Sequence, residues 1–487
     1  MGIILYNYKN MEDEIISLRK EKISRFQKQG LYLYPEEWFK ERKSIQQARQ
    51  QFEENNPGEV IIAGRLMAKR LHGKALFWDL KDFSGKIQVY VKADIIGKEI
   101  FEAVKEFDIG DIAIFKGELF KTHTQEITLN AKGAYLLSKT LRSLPEKWHG
   151  LKDIELRYRQ RYLDIISNDA VKEVFLLRSQ LIKEIRSFLD ARGFIEVETP
   201  MMHYIAGGAA GRPFKTYHNE YGMHLYLRIA PELYLKKLLV SGFEKVYELN
   251  RNFRNEGIST KHNPEFTMLE VYSSYSNYRD MMDLVRELVV YLAKKVLGKE
   301  KLVYQDREID LGVWSEVSFA ELVKEKYDIN PDDDINTWVM KLKNKGINIG
   351  DNISRSFIIN MISELVEPQS ASPVFVTDLF TIFCPLAKRK RDNPFLSERF
   401  ELFIAGLEVA NAYSELNDPL EQRQRFEDEL RNADKAEEKN IDEDFLLALE
   451  YGMPPAGGLG IGIDRLIMIF LNQPSIRDVI IFPLSKP

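Results

Sequence analysis

The sequence predicts an α+β protein: a small five-stranded β-barrel near the N-terminus, then a larger domain in which an antiparallel sheet is flanked by helices. Three features predict it. Residues 59–139 carry five short alternating runs broken by glycine and charge. Glu173 to Arg192 has the periodicity of a long amphipathic helix stopped by Gly193. Residues 247–256, 265–272 and 399–416 alternate polar and apolar as paired strands do.

The 487 residues, 44% of them hydrophobic, suffice for two or three domains with proper cores. At a net charge of −5, any nucleic-acid partner must be met by local basic patches. Cys384 is the single cysteine, which excludes an intrachain disulfide and a cysteine-rich zinc site and leaves metals to oxygen ligands. No apolar run approaches the ~20 residues of a membrane span, and MGIILYNYKNMEDE lacks a secretory pattern. The expectation is a soluble cytoplasmic protein with no membrane partner.

Residues 1–58 read as a helical extension. Ile15, Leu18, Ile23 and Phe26 recur at helical spacing among charges, and the ten residues before Met11 read as a poorly ordered start. The runs EVIIAGRL, ALFWDLKD, KIQVYVKA, DIAIFKGEL and EITLNAKGAYLL follow, with a helical interruption at 94–107. That strand count, with a helix between the third and fourth strands, fits an oligonucleotide/oligosaccharide-binding barrel (OB-fold) over 59–140. On it Lys69, Arg70, Phe77 and Gln88 would supply cations, a stacking ring and a base-edge reader. An ordinary sandwich with solvated charges is the alternative. Residues 141–156 form a proline-containing linker to a domain at 157–487, within which 300–395 reads as a helical insertion.

RNFRNEGISTKHNPEFTMLE, residues 251–270, breaks a strand pattern with charge. Alternation puts Glu248, Asn250, Asn252, Arg254 and Glu256 on one strand face, opposite Tyr247, Leu249 and Phe253. The chain returns with Phe266, Met268, Glu270 and Tyr272 on one face. A salt-bridge ladder would explain a lone Arg/Glu pair. An aromatic plate, a cation, a loop histidine and carboxylates together suit a nucleotide beside a second, positively charged ligand. Residues 399–416 add Glu401, Glu408, Asn411, Tyr413 and Glu415. Carboxylates seven apart face opposite ways on a straight strand, so Glu401 and Glu408 converge only if Ala405-Gly406 turns or bulges. Converging, they demand a cation, and a nearby triphosphate favours magnesium. In PAGGLGIGIDRLIMIFL, four glycines permit close backbone approach, Asp464 is expected to cap the following helix and Arg465 sits near its start.

RGFIEVETP (192–200), FRNEGISTKHNPEFTMLE (253–270) and GLGIGIDR (458–465) resemble, in order, motifs 1, 2 and 3 of class II aminoacyl-tRNA synthetases. With the barrel in front, the chain after Met11 is similar to the class IIb lysyl-tRNA synthetases of bacterial type. The GxxxxGK[ST] loop and the HIGH and KMSKS signatures of other nucleotide enzymes are absent. The resemblance implies an ATP-dependent ligase that makes lysyl-adenylate and pyrophosphate, then transfers lysine to the 3′ end of its tRNA. It implies catalytic roles for Arg254, on the α-phosphate, and Arg465, which sandwiches the adenine with Phe266. Glu256 and Asn263 would border the nucleotide, His262 would face the outer phosphates, and Glu401 and Glu408 would carry Mg2+.

For the amino acid, Gly208 in the GGAAGRPF turn and Glu232 resemble elements that hold the α-amino group and close over the substrate. Glu270, Tyr272, Asn411, Tyr413 and Glu415 would complete the lysine site. Arg70, Phe77, Gln88 and Glu126 would meet the anticodon of tRNA(Lys). Motif 1 implies a homodimer, although its helix and strand read equally as an interior packing unit. Three rivals stand: a non-catalytic relative, an enzyme that lysylates a protein, and aspartyl or asparaginyl specificity. The intact phosphate and metal residues, the barrel and the acidic pocket weigh against them in turn.

Overall fold

The structure is a computed structural model that describes residues 2–31, 36–53, 58–145, 153–205, 207–208, 211–350, 355–365, 368–432 and 440–485. It divides into two compact units, Met1–Gly150 and Leu151–Pro487, a division that falls within the expected linker.

In the first unit, β1 (Glu59–His72), β2 (Ala75–Lys81), β3 (Lys86–Lys92), β4 (Ile112–Lys121) and β5 (Ile127–Ser138) pair in the order β1-β2-β3-β5-β4 and close through β1 and β4. Inward positions at period two, among them Ile62, Trp78, Val89, Phe115 and Leu129, fill the barrel and are wholly buried. The helical residues Ala93–Ile96 and Lys98–Lys105 lie between β3 and β4. Helix α1 (Gly2–Lys28) docks by Phe26, packed edge-on against Phe107 at 5.5 Å, and by Lys22 on Asp108 at 3.0 Å. It starts at Gly2, so the expected poorly ordered start is helical; no proline or interior glycine interrupts it.

In the second unit, β6 (Ile195–Glu196), β7 (Lys245–Phe253), β8 (Glu265–Ser274), β9 (Ser315–Ser318), β10 (Val374–Thr377), β11 (Arg399–Ile404), β12 (Leu407–Ser414) and β13 (Ala456–Gly462) form one sheet, ordered β9-β10-β11-β12-β13-β8-β7-β6. The middle six run antiparallel, and β9 and β6 join parallel at the two edges. Helices α2 (Asp169–Asp190), α4 (Tyr278–Leu292) and α8 (Ile463–Phe470) cover one face with Leu189, Val285, Leu288 and Ile467. The other face is left to the site, with α3 (Glu232–Val240) beside it.

Three expectations change. The β7 strand ends at Phe253, so Arg254 and Glu256 lie in the loop beyond it rather than on its polar face. Residues 300–395 are not a purely helical insertion. They contain a two-stranded hairpin (Lys301–Tyr304 with Arg307–Asp310) and both β9 and β10; helices α5 (Phe319–Tyr327), α6 (Ile335–Asn344) and α7 (Arg355–Ser363) intervene. Val374–Val376 is a short fully buried β-branched and aromatic run, which periodicity alone does not separate from a helix. Asp464 does not cap α8, whose N-cap is Gly462. Its carboxylate instead accepts from the Thr267 backbone N–H at 2.7 Å and from Arg178 at 2.6 Å, tying α8 to β8 and α2.

Candidate active site

Pairing of β7 with β8 sets Glu248 opposite Glu270, Asn250 opposite Met268 and Asn252 opposite Phe266, so the polar residues share one face, while Tyr247, Leu269 and Val271 enter the core. Glu248 is committed to the scaffold. It pairs with buried Arg228 at 2.6 Å and accepts from the Thr199 hydroxyl at 2.7 Å.

Beyond it lies a buried acidic cluster. Glu232 (4% exposed), Glu270 (5%) and Glu415 (1%) come from α3, β8 and the end of β12. The Tyr413 hydroxyl donates to Glu232 Oε2 at 2.7 Å, and the Tyr272 hydroxyl donates to Glu270 Oε2 at 3.3 Å. Lys236, wholly buried one helical turn after Glu232, donates to Glu232 Oε1 at 2.7 Å and pairs with Glu415 Oε2. Both Glu415 oxygens are buried without a hydrogen bond among the described residues; Oε2 is met by Lys236 as an ion pair, and Oε1 has no ion-pair partner either. Burial, reinforced by the Glu232 charge, pushes Glu270 up to about 8, against Arg228 and Arg254, which favour its ionised form. Burial also raises Glu415, only partly offset by Lys236. Burial disfavours the charge on Lys236, but the carboxylates of Glu232 and Glu415 outweigh it and hold its pKa above the ordinary lysine value. A buried carboxylate that lacks a full set of partners either takes up a proton or is met by a cation.

Gly458 explains one of the four glycines of β13: a Cβ there would stand 1.9 Å from Glu415 Oε1 and 2.7 Å from Tyr272 Cε1. Gly208 lies against α3, with the position of a Cβ 3.3 Å from the Glu232 Cβ. Ala209 and Ala210 of the same turn lie outside the described residues. The turn continues to Arg212, whose carbonyl accepts from the Asn255 N–H at 2.7 Å, beside Arg254 and Glu256.

Arg254 stands over the Phe266 ring at 5.2 Å, and its Nε is buried without a hydrogen-bond partner among the described residues. Asn263 is buried, its Nδ2 on the Glu265 carbonyl at 2.6 Å and its Oδ1 unpartnered. Glu256 is exposed. Arg465 donates to the Glu408 carbonyl at 2.9 Å and to Nε2 of exposed His262 at 2.9 Å. Burial and then the Arg465 charge lower the His262 pKa, so the ring is neutral near pH 7 and Nε2 accepts.

Between Glu401 and Glu408 the chain both turns and shifts register, and the charge of Glu408 is felt at Glu401. Ala405 and Gly406, at φ +54° and +78°, form the tight turn between β11 and β12, and the register shifts at Leu402/Phe403 so that Phe403 faces Glu408. Burial raises the Glu401 carboxyl; Arg399 opposes that and Glu408 adds to it. Arg399 donates to Glu401 at 2.7 Å and to Asn411 Oδ1 at 3.0 Å. Among the described residues no group of three His, Cys, Asp or Glu is disposed to hold a metal.

The sequence that builds this site has relatives. The family of tRNA synthetases class II (D, K and N) matches residues 153–486, and the OB-fold nucleic acid binding domain matches 60–137. The chain is 51% identical over 485 residues to a lysine–tRNA ligase of Moorella thermoacetica, covering 98% of each chain. It is 51% identical over 482 residues to one of Carboxydothermus hydrogenoformans, also 98% of each, and 51% identical over 483 residues to one of Pelotomaculum thermopropionicum, 98% of this chain and 95% of the relative. The chain belongs to the class II tRNA synthetases.

In this class II synthetase the barrel presents a second candidate surface. Arg70, Phe77 and Tyr90 lie side by side across β1, β2 and β3. Phe77 contacts Tyr90 at 5.0 Å and His72 at 6.0 Å, and Tyr90 contacts Phe120 at 6.1 Å, giving a row of rings. Arg70 holds Asp79 at 2.9 Å. Gln88 accepts from Thr128 at 3.1 Å and donates to exposed Glu126 at 3.3 Å. Lys69 is off this surface: it is paired in register with Trp78, over whose ring it lies, because adjacent strand residues point opposite ways.

Sequence reasoning missed Lys236, Arg399, Tyr90 and Phe120. Two of them left a signal. Lys236 is four residues after Glu232 on one helix, and Arg399 is two before Glu401 on one strand.

Proposed function

We propose that this synthetase activates L-lysine with ATP and transfers it to the 3′ end of tRNA(Lys). The observation that carries the reading is the acidic cluster. Three buried carboxylates face one buried ammonium, Lys236, so that once lysine ionises all three they leave two negative charges for its α- and ε-ammonium groups. Glu232 and Gly208 take the α-amino end, and Glu270, Tyr272, Tyr413 and Glu415 the ε-ammonium end, with Asn411 alongside. An acidic substrate would meet like charge there, which disfavours aspartate.

The lysine carboxylate is already a nucleophile. Its oxygen attacks the α-phosphorus of ATP and pyrophosphate leaves, so the protein has only to position the reactants and neutralise charge. Arg254, desolvated and with an unpartnered Nε, holds the α-phosphate. Phe266 and Arg465 stack the adenine, Glu256 and Asn263 border the nucleotide, and His262 faces the outer phosphates. The tRNA terminal hydroxyl then attacks the adenylate carbonyl and AMP leaves.

Glu401 and Glu408 fit a hard divalent cation such as Mg2+: their charges repel, each is met by an arginine, and no third His, Cys, Asp or Glu stands with them among the described residues, so phosphate oxygens and water would complete the shell. Bound there, the ion would neutralise phosphate charge. The barrel row around Phe77, with Arg70, Gln88 and Glu126, takes the anticodon. Exposed Ile195 on the edge strand β6 and exposed Leu176 on α2 support a homodimer through this segment. The described residues hold no helix long and apolar enough to cross a membrane, which accords with a cytoplasmic place.

ATP/pyrophosphate exchange with each of the twenty amino acids tests this. Exchange with lysine alone is expected; exchange with aspartate or asparagine instead would overturn the pocket reading.

A further inference from the structure

Among the described residues Lys236 is the one cation inside the acidic cluster, and no chemical step above acts through it. Its ammonium has no solvent exposure and reaches two carboxylates from different elements, Glu232 on its own helix and Glu415 beyond β12. The rings of Tyr413 and Phe445 lie 5.6 and 6.0 Å away. It therefore occupies Glu232 Oε1 and Glu415 Oε2, while Tyr413 occupies Glu232 Oε2. Neither Glu415 oxygen is hydrogen-bonded among the described residues, and with Oε2 ion-paired to Lys236 it is Oε1 that is left without any partner.

We propose that Lys236 is a resident counter-ion that sets the amino-acid specificity of the pocket, fixing the net charge of the lysine-bound cluster at two negatives and leaving one oxygen of Glu415 to the substrate's side-chain ammonium. This rests on the lysine reading above. Even beside Lys236 the ligand-free cluster holds a proton on Glu270 near neutral pH, and without that cation Glu232 and Glu415 would hold protons more tightly too, so that ionising the cluster around an ammonium substrate would cost more. With Lys236 present, a neutral amino acid leaves one negative charge uncompensated, and a doubly ammonium substrate leaves none. Lys236 acts through Glu232 and Glu415, so it is a positioning residue.

The charged and titratable groups around it are Glu232 on α3, Glu270 and Tyr272 on β8, Tyr413 and Glu415 at the end of β12, and Cys384 between β10 and β11, with Arg228 and Arg254 acting on Glu270. None of these is a second cation on the Glu232–Glu415 pair among the described residues.

The test is Lys236→Met and Lys236→Arg in the full-length enzyme, read by exchange kinetics with lysine and ATP varied separately between pH 6 and 9. For Lys236→Met the lysine KM should rise at least tenfold with ATP KM within twofold. The pH at which lysine KM falls should move up by about 1 to 3 units, as expected when an opposite charge is removed from beside a carboxylate. Lys236→Arg, which keeps the charge, should retain the wild-type pH profile even where the lysine KM changes. An unchanged lysine KM and pH profile in Lys236→Met, or equal losses for lysine and ATP in either variant, would overturn the proposal and leave Lys236 a structural residue. If Lys236→Met does not fold, Lys236→Arg decides: an altered pH profile in it overturns the proposal. Wild-type enzyme that shows no lysine-dependent exchange would instead sink the lysine reading itself.

Discussion

At the scale of single residues, the pocket is controlled by atoms that have no slack. Gly458 has room for a hydrogen and nothing more, since a Cβ would fall 1.9 Å from Glu415 Oε1. Gly458→Ala should force Glu415 and Tyr272 aside, an overpacking effect of ~1–3 kcal/mol. The expected readout is a lysine KM raised roughly 5- to 150-fold with ATP KM little changed; an enzyme with wild-type lysine kinetics would show that the pocket does not need this approach. Glu415→Gln keeps the shape and removes the charge. It should raise the lysine KM at least tenfold and spare ATP, and equal effects on both would speak against an ammonium site. Residue identity made the acids visible in the sequence. Which oxygen of each acid was free was not visible, because Lys236 approaches Glu415 from another element.

At the scale of elements, the barrel and the β7–β8 pair differ in how fully they could be read. Period two placed Phe266 and Glu270 on one face, and placed Arg70 and Phe77 beside each other once the register was known. The alternation did not reveal where β7 stops, so Arg254 was read onto a strand face when it occupies the following loop. Base stacking on an aromatic is worth ~1–3 kcal/mol. Phe77→Ala should therefore weaken tRNA charging roughly 5- to 150-fold in kcat/KM for tRNA and leave lysine-dependent exchange intact. A parallel loss of exchange, accompanied by a lower Tm, would make Phe77 a core residue of the barrel. The 300–395 region was misread for a related reason: β9 and β10 are short, and a short buried run becomes a strand only when a partner strand is beside it.

At the scale of the whole molecule, the acidic cluster links stability to pH and ligand. Glu270 sits at about 8 in the folded protein against an ordinary 4.5, so between these values the ligand-free folded state holds a proton that the unfolded chain has lost. This contribution makes folding stability fall as pH rises through that window. Lysine binds the ionised form and reverses the effect, so the rise in Tm produced by saturating lysine should be larger at pH 8.5 than at pH 6. A larger rise at pH 6 would mean that the substrate does not meet these carboxylates. Chelating divalent metal should abolish exchange, and excess Mg2+ should restore it; exchange that persists in a chelator would remove the role proposed for Glu401 and Glu408.

By itself the sequence determined the two-part α+β plan, the barrel, the three motifs and the inventory of acids, arginines and glycines, because alternation, glycine placement and residue type are local properties of the chain. Tertiary structure alone decided the rest. It set the turn and register shift between Glu401 and Glu408, the diversion of Asp464 from helix cap to sheet anchor, and the commitment of Glu248 to Arg228. It also brought Lys236 between Glu232 and Glu415, which are 183 residues apart in the numbering and adjacent only in the fold. The net charge of a buried pocket depends on which groups share it, and only the packing of α3 against the end of β12 fixes that.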